Sequence, residues 1–257
     1  MLDALHYGLA TLSGGLVGFS LGLVGGGGSI LAVPLMVYLV GVASPHVAIG
    51  TSALAVAANA GAGLASHARA HTVKWQCGGM YAAAGIFGAL AGSTLGKAVD
   101  GQNLLVLFAL VMVAVGVLML RGRHDAGRPE AACRLDNAPQ VLGIGAATGV
   151  FSGFFGIGGG FLIVPGLIAA TGMPMLNAVG TSLVAVTAFG LTTALNYAAS
   201  GMVDWPLAGV FIAGGVAGGL GGTALARRLS SGGTLRTVFA GLIFAVAGYV
   251  LWRSAAM

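Results

Sequence analysis

The chain has 257 residues, of which 57% are hydrophobic and only 7% charged, with a mean hydropathy of +0.98. A soluble domain is about 45–50% apolar and about 25% charged, so there is too little polar material here for a hydrated shell. That composition excludes a soluble enzyme, a nucleic-acid binder and a disordered chain, and makes lipid the natural solvent. The net charge of +5 comes from basic residues between apolar runs, where they set membrane orientation rather than bind nucleic acid.

Charges and Gly/Pro clusters divide the chain into ten apolar segments, near 5–24, 29–43, 46–66, 75–96, 102–120, 139–155, 158–172, 175–199, 205–226 and 235–253. Continuous apolar runs without alternation specify helices rather than a membrane barrel. The predicted class is an all-α integral membrane protein. Segments 29–43 and 158–172 are under-length for a spanning helix, at roughly 15 residues against the usual 20, and each follows a glycine cluster. The start, Met1-Leu2-Asp3-Ala4, lacks a basic n-region and reads as mature protein rather than a signal peptide. Cys77 opens an apolar segment and Cys133 lies in a charged stretch, which argues against a disulfide framework or a CxxC metal site.

The linker from Arg121 to Ala138 separates two copies of one pattern, an N-terminal repeat over 1–120 and a C-terminal repeat over 139–257. Gly25-Gly26-Gly27-Gly28-Ser29 through Pro34 matches Gly156-Ile157-Gly158-Gly159-Gly160 through Pro165. Gly50-Thr51-Ser52 matches Gly180-Thr181-Ser182, Val73-Lys74-Trp75 matches Val203-Asp204-Trp205, and Gly88 to Ser93 matches Gly218 to Thr223. The offset holds at 130 or 131, the mark of a duplication. Five segments per repeat is an odd number, so the second copy is expected inverted in the bilayer. With the linker cytoplasmic, nine of the 11 basic residues then fall inside and two, Lys97 and Arg253, outside. A parallel arrangement with four crossings per repeat puts Arg227, Arg228 and Arg236 on the wrong side.

Each glycine cluster is expected to resist helix inside the membrane and to aim backbone N–H groups of the following short helix at an anion near the midplane. Close helix packing is the alternative for either run alone. The predicted substrate-binding set is Gly25, Gly26, Gly27, Gly28, Ser29, Thr51, Ser52 and Asn59 in the first repeat, and Gly156, Gly158, Gly159, Gly160, Thr181, Ser182 and Asn196 in the second. The hydroxyls and amides would donate to anion oxygens. Their other reading is intrahelical bonding for Thr and Ser and interhelical bonding for the two Asn. Asn59 aligns with Phe189, so the two copies differ there.

No Asp, Glu, Lys or Arg lies deep in any segment, unlike the usual proton-coupled carrier. His46, His67 and His71 read as solvated or interfacial, and Trp75, Trp205 and Trp252 as interface anchors. Gly18-Phe19-Ser20-Leu21-Gly22 fits the Gly-x-Ser-x-Gly hydrolase pattern but lacks its strand–turn–helix setting. No catalytic residue, metal or cofactor is expected.

The paired glycine clusters, the short helix with Pro34, Pro45-His46-x-Ala48-x-x-Thr51-Ser52 and the second copy ending in Thr181-Ser182 resemble the TauE/SafE sulfite exporter family of TSUP-type permeases over essentially the whole chain. The resemblance implies an inner-membrane carrier with about seven to eight helices moving sulfite, sulfonates or related anions. The expected function is therefore a secondary transporter working by alternating access, with the bilayer and a small anion as partners, no nucleic acid, and small-residue helix faces that could also serve a homodimer. An anion channel of the same fold and a non-transporting membrane scaffold are the alternatives.

Overall fold

A computed structural model describes residues 4–121, 133, 137–156, 160–229, 241, 243–250 and 252. Among them every regular element is helical: α1 (Ala4–Val24), a 3₁₀ segment (Gly25–Leu31), α2 (Ala32–Pro34), a π-turn (Leu35–Leu39), α3 (Pro45–Arg69), α4 (Trp75–Lys97), α5 (Gly101–Arg121), α6 (Ala138–Phe155), α7 (Gly160–Thr171), α8 (Met175–Ala198) and α9 (Trp205–Leu229). Residues 243–250 are helical as well. Five stretches are long and apolar enough to cross a membrane: Leu5–Leu39, Pro45–Arg69, Ala138–Phe155, Met175–Ala198 and Trp205–Leu225. Side chains that soluble proteins would hide are turned outwards, Leu12 at 66% and Phe87 at 77% exposure among them, as expected for a lipid-facing surface. Trp75, Trp205 and Trp252 are exposed, the first two at the starts of α4 and α9.

Local chemistry accounts for the helix ends. Ser44 caps α3, with Pro45 in its first turn. Asp204 caps α9, its Oδ1 accepting the Leu207 N–H at 3.0 Å. The left-handed residues are more telling. Five glycines and one histidine have positive φ, and they form three equivalent pairs: Gly25 with Gly156, Gly41 with Gly172, and His71 with Gly201. The repeat seen in the letters is thus repeated in the backbone.

The packing follows the same equivalence. Glycines bring α1 against α9 with Gly14 facing Phe211, Gly18 facing Gly215 and Gly22 facing Gly219, both chains advancing by four residues, so the helices are parallel. The equivalent pair, α6 and α4, does the same across the two copies, with Gly145 on Tyr81, Gly149 on Gly85 and Gly153 on Ala89. At the centre α3 packs on α8, where Gly190 meets Ala53 and Ala57 while Gly63 meets Leu183. Numbers rise along one helix as they fall along the other, so these two equivalent helices run antiparallel. The glycine faces named here are spent on internal contacts, where a missing Cβ lets backbones touch.

Three expectations change. Gly25–Gly28 break the α-helix without leaving helical structure altogether: after left-handed Gly25 they open a 3₁₀ segment, Gly25–Leu31. The segment then reverses: Gly28 lies against Ser20 and Leu21, and a Cβ on Gly41 would sit 4.0 Å from the His6 ring, so the chain returns along α1 as a hairpin. Second, Cys77 and Cys133 form a disulfide, which places Cys133 at the first turn of α4. Their sequence separation of 56 gave no spacing signal for that contact. Third, His67 is buried at 1% exposure, its Nδ1 2.9 Å from Thr72 Oγ1, rather than solvated or interfacial.

Candidate functional site

The two chain breaks meet inside the bundle. α1 ends at Gly25 (φ +68°) and α6 ends at Gly156 (φ +67°), each glycine taking the left-handed conformation that stops a helix. Each break lies against the opposite copy at an equivalent place, Gly25 on Val179 and Gly156 on Ile49. Beyond the left-handed residue the breaks touch: the carbonyl and Cα of Gly26 occupy the space where a Cβ of Gly160 would go. The Val186 side chain of α8 lies on the same side of Gly26 as Gly160.

The backbone groups released by the first break are held by serines. The Gly26 N–H donates to Ser182 Oγ at 3.1 Å, and Ser182 donates onward to the Val179 carbonyl at 2.8 Å. Ser29 Oγ donates to the Gly26 carbonyl at 2.8 Å. Ser52, equivalent to Ser182, donates to the Ile49 carbonyl at 3.1 Å. Gly25 to Gly28, Ser29, Ser52, Gly156, Gly160 and Ser182 are all buried. Gly158 and Gly159 lie outside the described residues. Two apolar helices, α1 and α6, thus end in a small centre made of glycine backbone and serine hydroxyls. Among the described residues, the buried polar side chains are Ser and Thr hydroxyls, Asn59 and His67, with no buried formal charge.

Thr51 and Thr181 serve a different purpose. Thr51 Oγ1 accepts the N–H of Asp204, and Thr181 Oγ1 accepts the N–H of Lys74, both at 2.9 Å. Each threonine thereby satisfies the N-cap residue of a helix in the other copy, so the two copies are latched by a matched pair of hydrogen bonds. Losing one leaves a backbone N–H without its acceptor, a cost of about 1–3 kcal/mol when buried. Thr51→Val and Thr181→Val are accordingly expected to lower the unfolding free energy in detergent by about that amount, while Thr51→Ser keeps it. Denaturant titration of the purified protein measures this.

The two asparagines part company. Asn196 sits at the far end of α8: its amide N–H groups donate to Ser93 Oγ (2.6 Å) and Thr94 Oγ1 (3.1 Å), and its Oδ1 accepts from Lys97 Nζ (2.9 Å). It ties α8 to α4 and is not gathered with the breaks. Asn59 remains in the interior at 5% exposure, pressed against Gly215, and neither of its amide atoms has a hydrogen-bond partner. Its counterpart Phe189 lies in the same way against Gly85, the equivalent of Gly215. One half therefore presents an amide where the other presents a ring.

Ser20 of the hydrolase-like pattern is a buried residue within α1, in helix and not on a strand–turn–helix elbow.

Residues 10–250 match the family described as sulfite exporter TauE/SafE. The chain belongs to the TauE/SafE family. Its curated relatives carry the name "probable membrane transporter protein". One from Xylella fastidiosa (strain 9a5c) is 55% identical over 249 residues, 94% of each chain. Another, YunE of Bacillus subtilis (strain 168), is 27% identical over 241 residues, covering 84% of this chain and 88% of its own. A third, from Methanocaldococcus jannaschii, is 27% identical over 179 residues, 65% of each. No solved structure matches the chain. Membership makes this TauE/SafE protein a multi-pass membrane transporter rather than an enzyme, acting on a small molecule within a lipid bilayer.

Proposed function

We propose that this TauE/SafE protein is a secondary carrier that exports small sulfur-containing oxyanions, sulfite and sulfonates, across the bacterial inner membrane. Its two repeats are inverted in the bilayer and rock against each other about the antiparallel α3–α8 pair. The observation that carries the reading is the abutment of two equivalent chain breaks, each begun by a left-handed glycine, at a buried centre with no formal charge. In the closed arrangement Ser182 occupies the Gly26 N–H. Drawing the halves apart frees that N–H and the serine hydroxyls for anion oxygens, which accept several hydrogen bonds without needing a cationic side chain. Ser52 and Ser182 are the hydroxyl donors of the centre, Gly25–Ser29 with Gly156 and Gly160 its backbone, and Asn59 the residue that makes one half different. Thr51 and Thr181 latch the closed form.

The energetics suit efflux. A cytoplasm held 100 mV negative drives each anionic charge outward by about 2.3 kcal/mol, so export requires neither an ATPase domain nor a coupling carboxylate.

The linker is assigned to the cytoplasm from the basic residues on its side, Arg69 and Lys74 among them. Cytoplasmic thiols stay reduced and periplasmic ones oxidise, so the Cys77–Cys133 pair reports the orientation. The cytoplasmic assignment therefore requires the pair that is disulfide-bonded in the structure to be reduced in the cell: acid-quenched cells should give both thiols free to a maleimide mass tag, and a pair blocked until reduced would reverse the assignment. Labelling of single cysteines in the 227–236 loop from the periplasm would reverse it too.

Thermal shift of the purified protein with sulfite, sulfoacetate, taurine, thiosulfate and sulfate tests the substrate class. A rise in melting temperature with sulfite or a sulfonate, absent with chloride, is the expected result; no response to any oxyanion overturns the proposal.

A further inference from the structure

The face carrying the 97–101 and 199–204 loops holds a second polar cluster, separate from the breaks. Lys97 Nζ donates to Asn196 Oδ1 (2.9 Å), to the Asn196 carbonyl (3.2 Å) and to Ser200 Oγ (2.9 Å), all neutral acceptors. The carboxylates of its surroundings are committed elsewhere: Asp100 accepts the N–H groups of Gln102 and Asn103 at the start of α5, and Asp204 that of Leu207 at the start of α9. The ammonium lies 5.9 Å from the centroid of the Tyr197 ring, and the His46 ring stacks on the same tyrosine at 6.4 Å. Tyr197 is fully buried, yet its hydroxyl has no hydrogen-bond partner, and neither has His46 Nδ1.

The duplication explains why this hydroxyl is open. Tyr197 aligns with His67 of the first copy, and His67 Nδ1 is bonded to Thr72 Oγ1. The position matching Thr72 is Met202, which offers no hydroxyl. One copy ties its buried ring to a neighbouring hydroxyl and the other has none to offer. A buried donor left unpaired costs about 1–3 kcal/mol, a cost that is recovered when a ligand supplies the acceptor. The cluster also adjoins the centre: Gly50 packs on Tyr197, and the neighbouring residue Ile49 packs on Gly156.

We infer that Lys97 and Tyr197 form a second, outer binding site for a small oxyanion, the last station on the path between the central breaks and the face opposite the linker. The oxyanion takes the phenolic O–H as a donor and displaces exposed Ser200 from the ammonium, while Asn196 keeps Lys97 in place. The site rests on the anion-transport reading above and adds to it a position where the solute pauses outside the centre.

Tyr197→Phe is the decisive variant, because it removes only a hydroxyl that bonds nothing within the protein. Sulfite is the probe, with chloride as the control, on full-length protein in detergent and in liposomes of phosphatidylethanolamine and phosphatidylglycerol. The expected result is an unchanged or raised melting temperature without anion and a half-saturating sulfite concentration raised about tenfold, the usual weight of a hydrogen bond to a charged group. Lys97→Met should raise it further, and Lys97→Arg should restore much of it. Tyr197→Phe with wild-type half-saturation overturns the outer site. Sulfite shifts that vanish in central-site variants but survive in Lys97→Met and Tyr197→Phe overturn it while leaving the carrier reading intact. Sulfite binding that depends on Lys97 and Tyr197 without flux supports the outer site and overturns the carrier reading instead.

Discussion

Gly160→Ala is expected to abolish sulfite flux and to lower stability by about 3 kcal/mol or more, the upper end for an overpacked core. The added Cβ would coincide with the backbone of Gly26, and Gly26 has nowhere to retreat. Its N–H is bonded to Ser182, its Cα face is filled by Val186 beside Gly160, and the preceding Gly25 is fixed in the left-handed region against Val179. Gly143→Ala is the control. It lies in α6 with nothing within 4 Å of its would-be Cβ, so there alanine should be neutral or stabilise by about 0.5–1 kcal/mol through helix propensity. Melting curves of both variants in detergent, with flux in liposomes, give the comparison. If Gly160→Ala melts and transports as Gly143→Ala does, the contact between the breaks has no structural or functional weight.

Asn59→Leu should separate stability from activity. Asparagine is poorly suited to its position as a structural residue: it is buried, and both amide atoms lack partners. Leucine has similar bulk and no polar group to strand, so the variant should be as stable as the wild type or gain about 1 kcal/mol. Flux of sulfite should nevertheless fall about tenfold or more, the effect of losing one hydrogen bond to a charged solute. Retained flux would reduce Asn59 to a packing residue, equivalent in role to Phe189. A loss of both stability and flux would give it a structural partner that the closed form does not display.

Much of the architecture was legible from the residues alone because the features concerned are local. The lengths of the apolar runs placed the helices within a few residues of where α1 and α3 to α9 stand. Gly25 and Gly156 were legible as breaks, since glycine clusters in lipid have few other uses. The duplication was legible because ordered motifs recur at one offset. Whether residues 25–41 cross separately or fold back on α1 as a hairpin stayed open, because a 3₁₀ turn and a coil draw on the same glycines. The disulfide was not legible, for Cys77 and Cys133 lie far apart in sequence and carry no motif.

The candidate site was half legible. Glycine and Thr-Ser motifs pointed to the right segments, yet motifs do not say which partner a hydroxyl will find. Ser52 and Ser182 went to the centre, while the adjacent Thr51 and Thr181, one helical step of 100° away, turned to the other copy's loops. Asn59 and Asn196 looked alike in the sequence and ended in opposite circumstances, one unpartnered in the interior and the other bound to Lys97, Ser93 and Thr94. Lys97, His46 and Tyr197 gave no joint signal, since they come from the ends of three helices.

Composition, run length and repetition by themselves determined that this protein lives in a bilayer, that it is built twice, and where each copy is interrupted. Those properties depend on the chain's neighbours in sequence and on the solvent. Only the tertiary structure decided that the interruptions touch, which hydroxyls are spent on holding the copies together, and which polar groups are left without a partner. Hydrogen bonds in a dry interior are exclusive: each donor is taken by whatever acceptor the packing brings within about 3 Å, and that choice is made between helices, not along them.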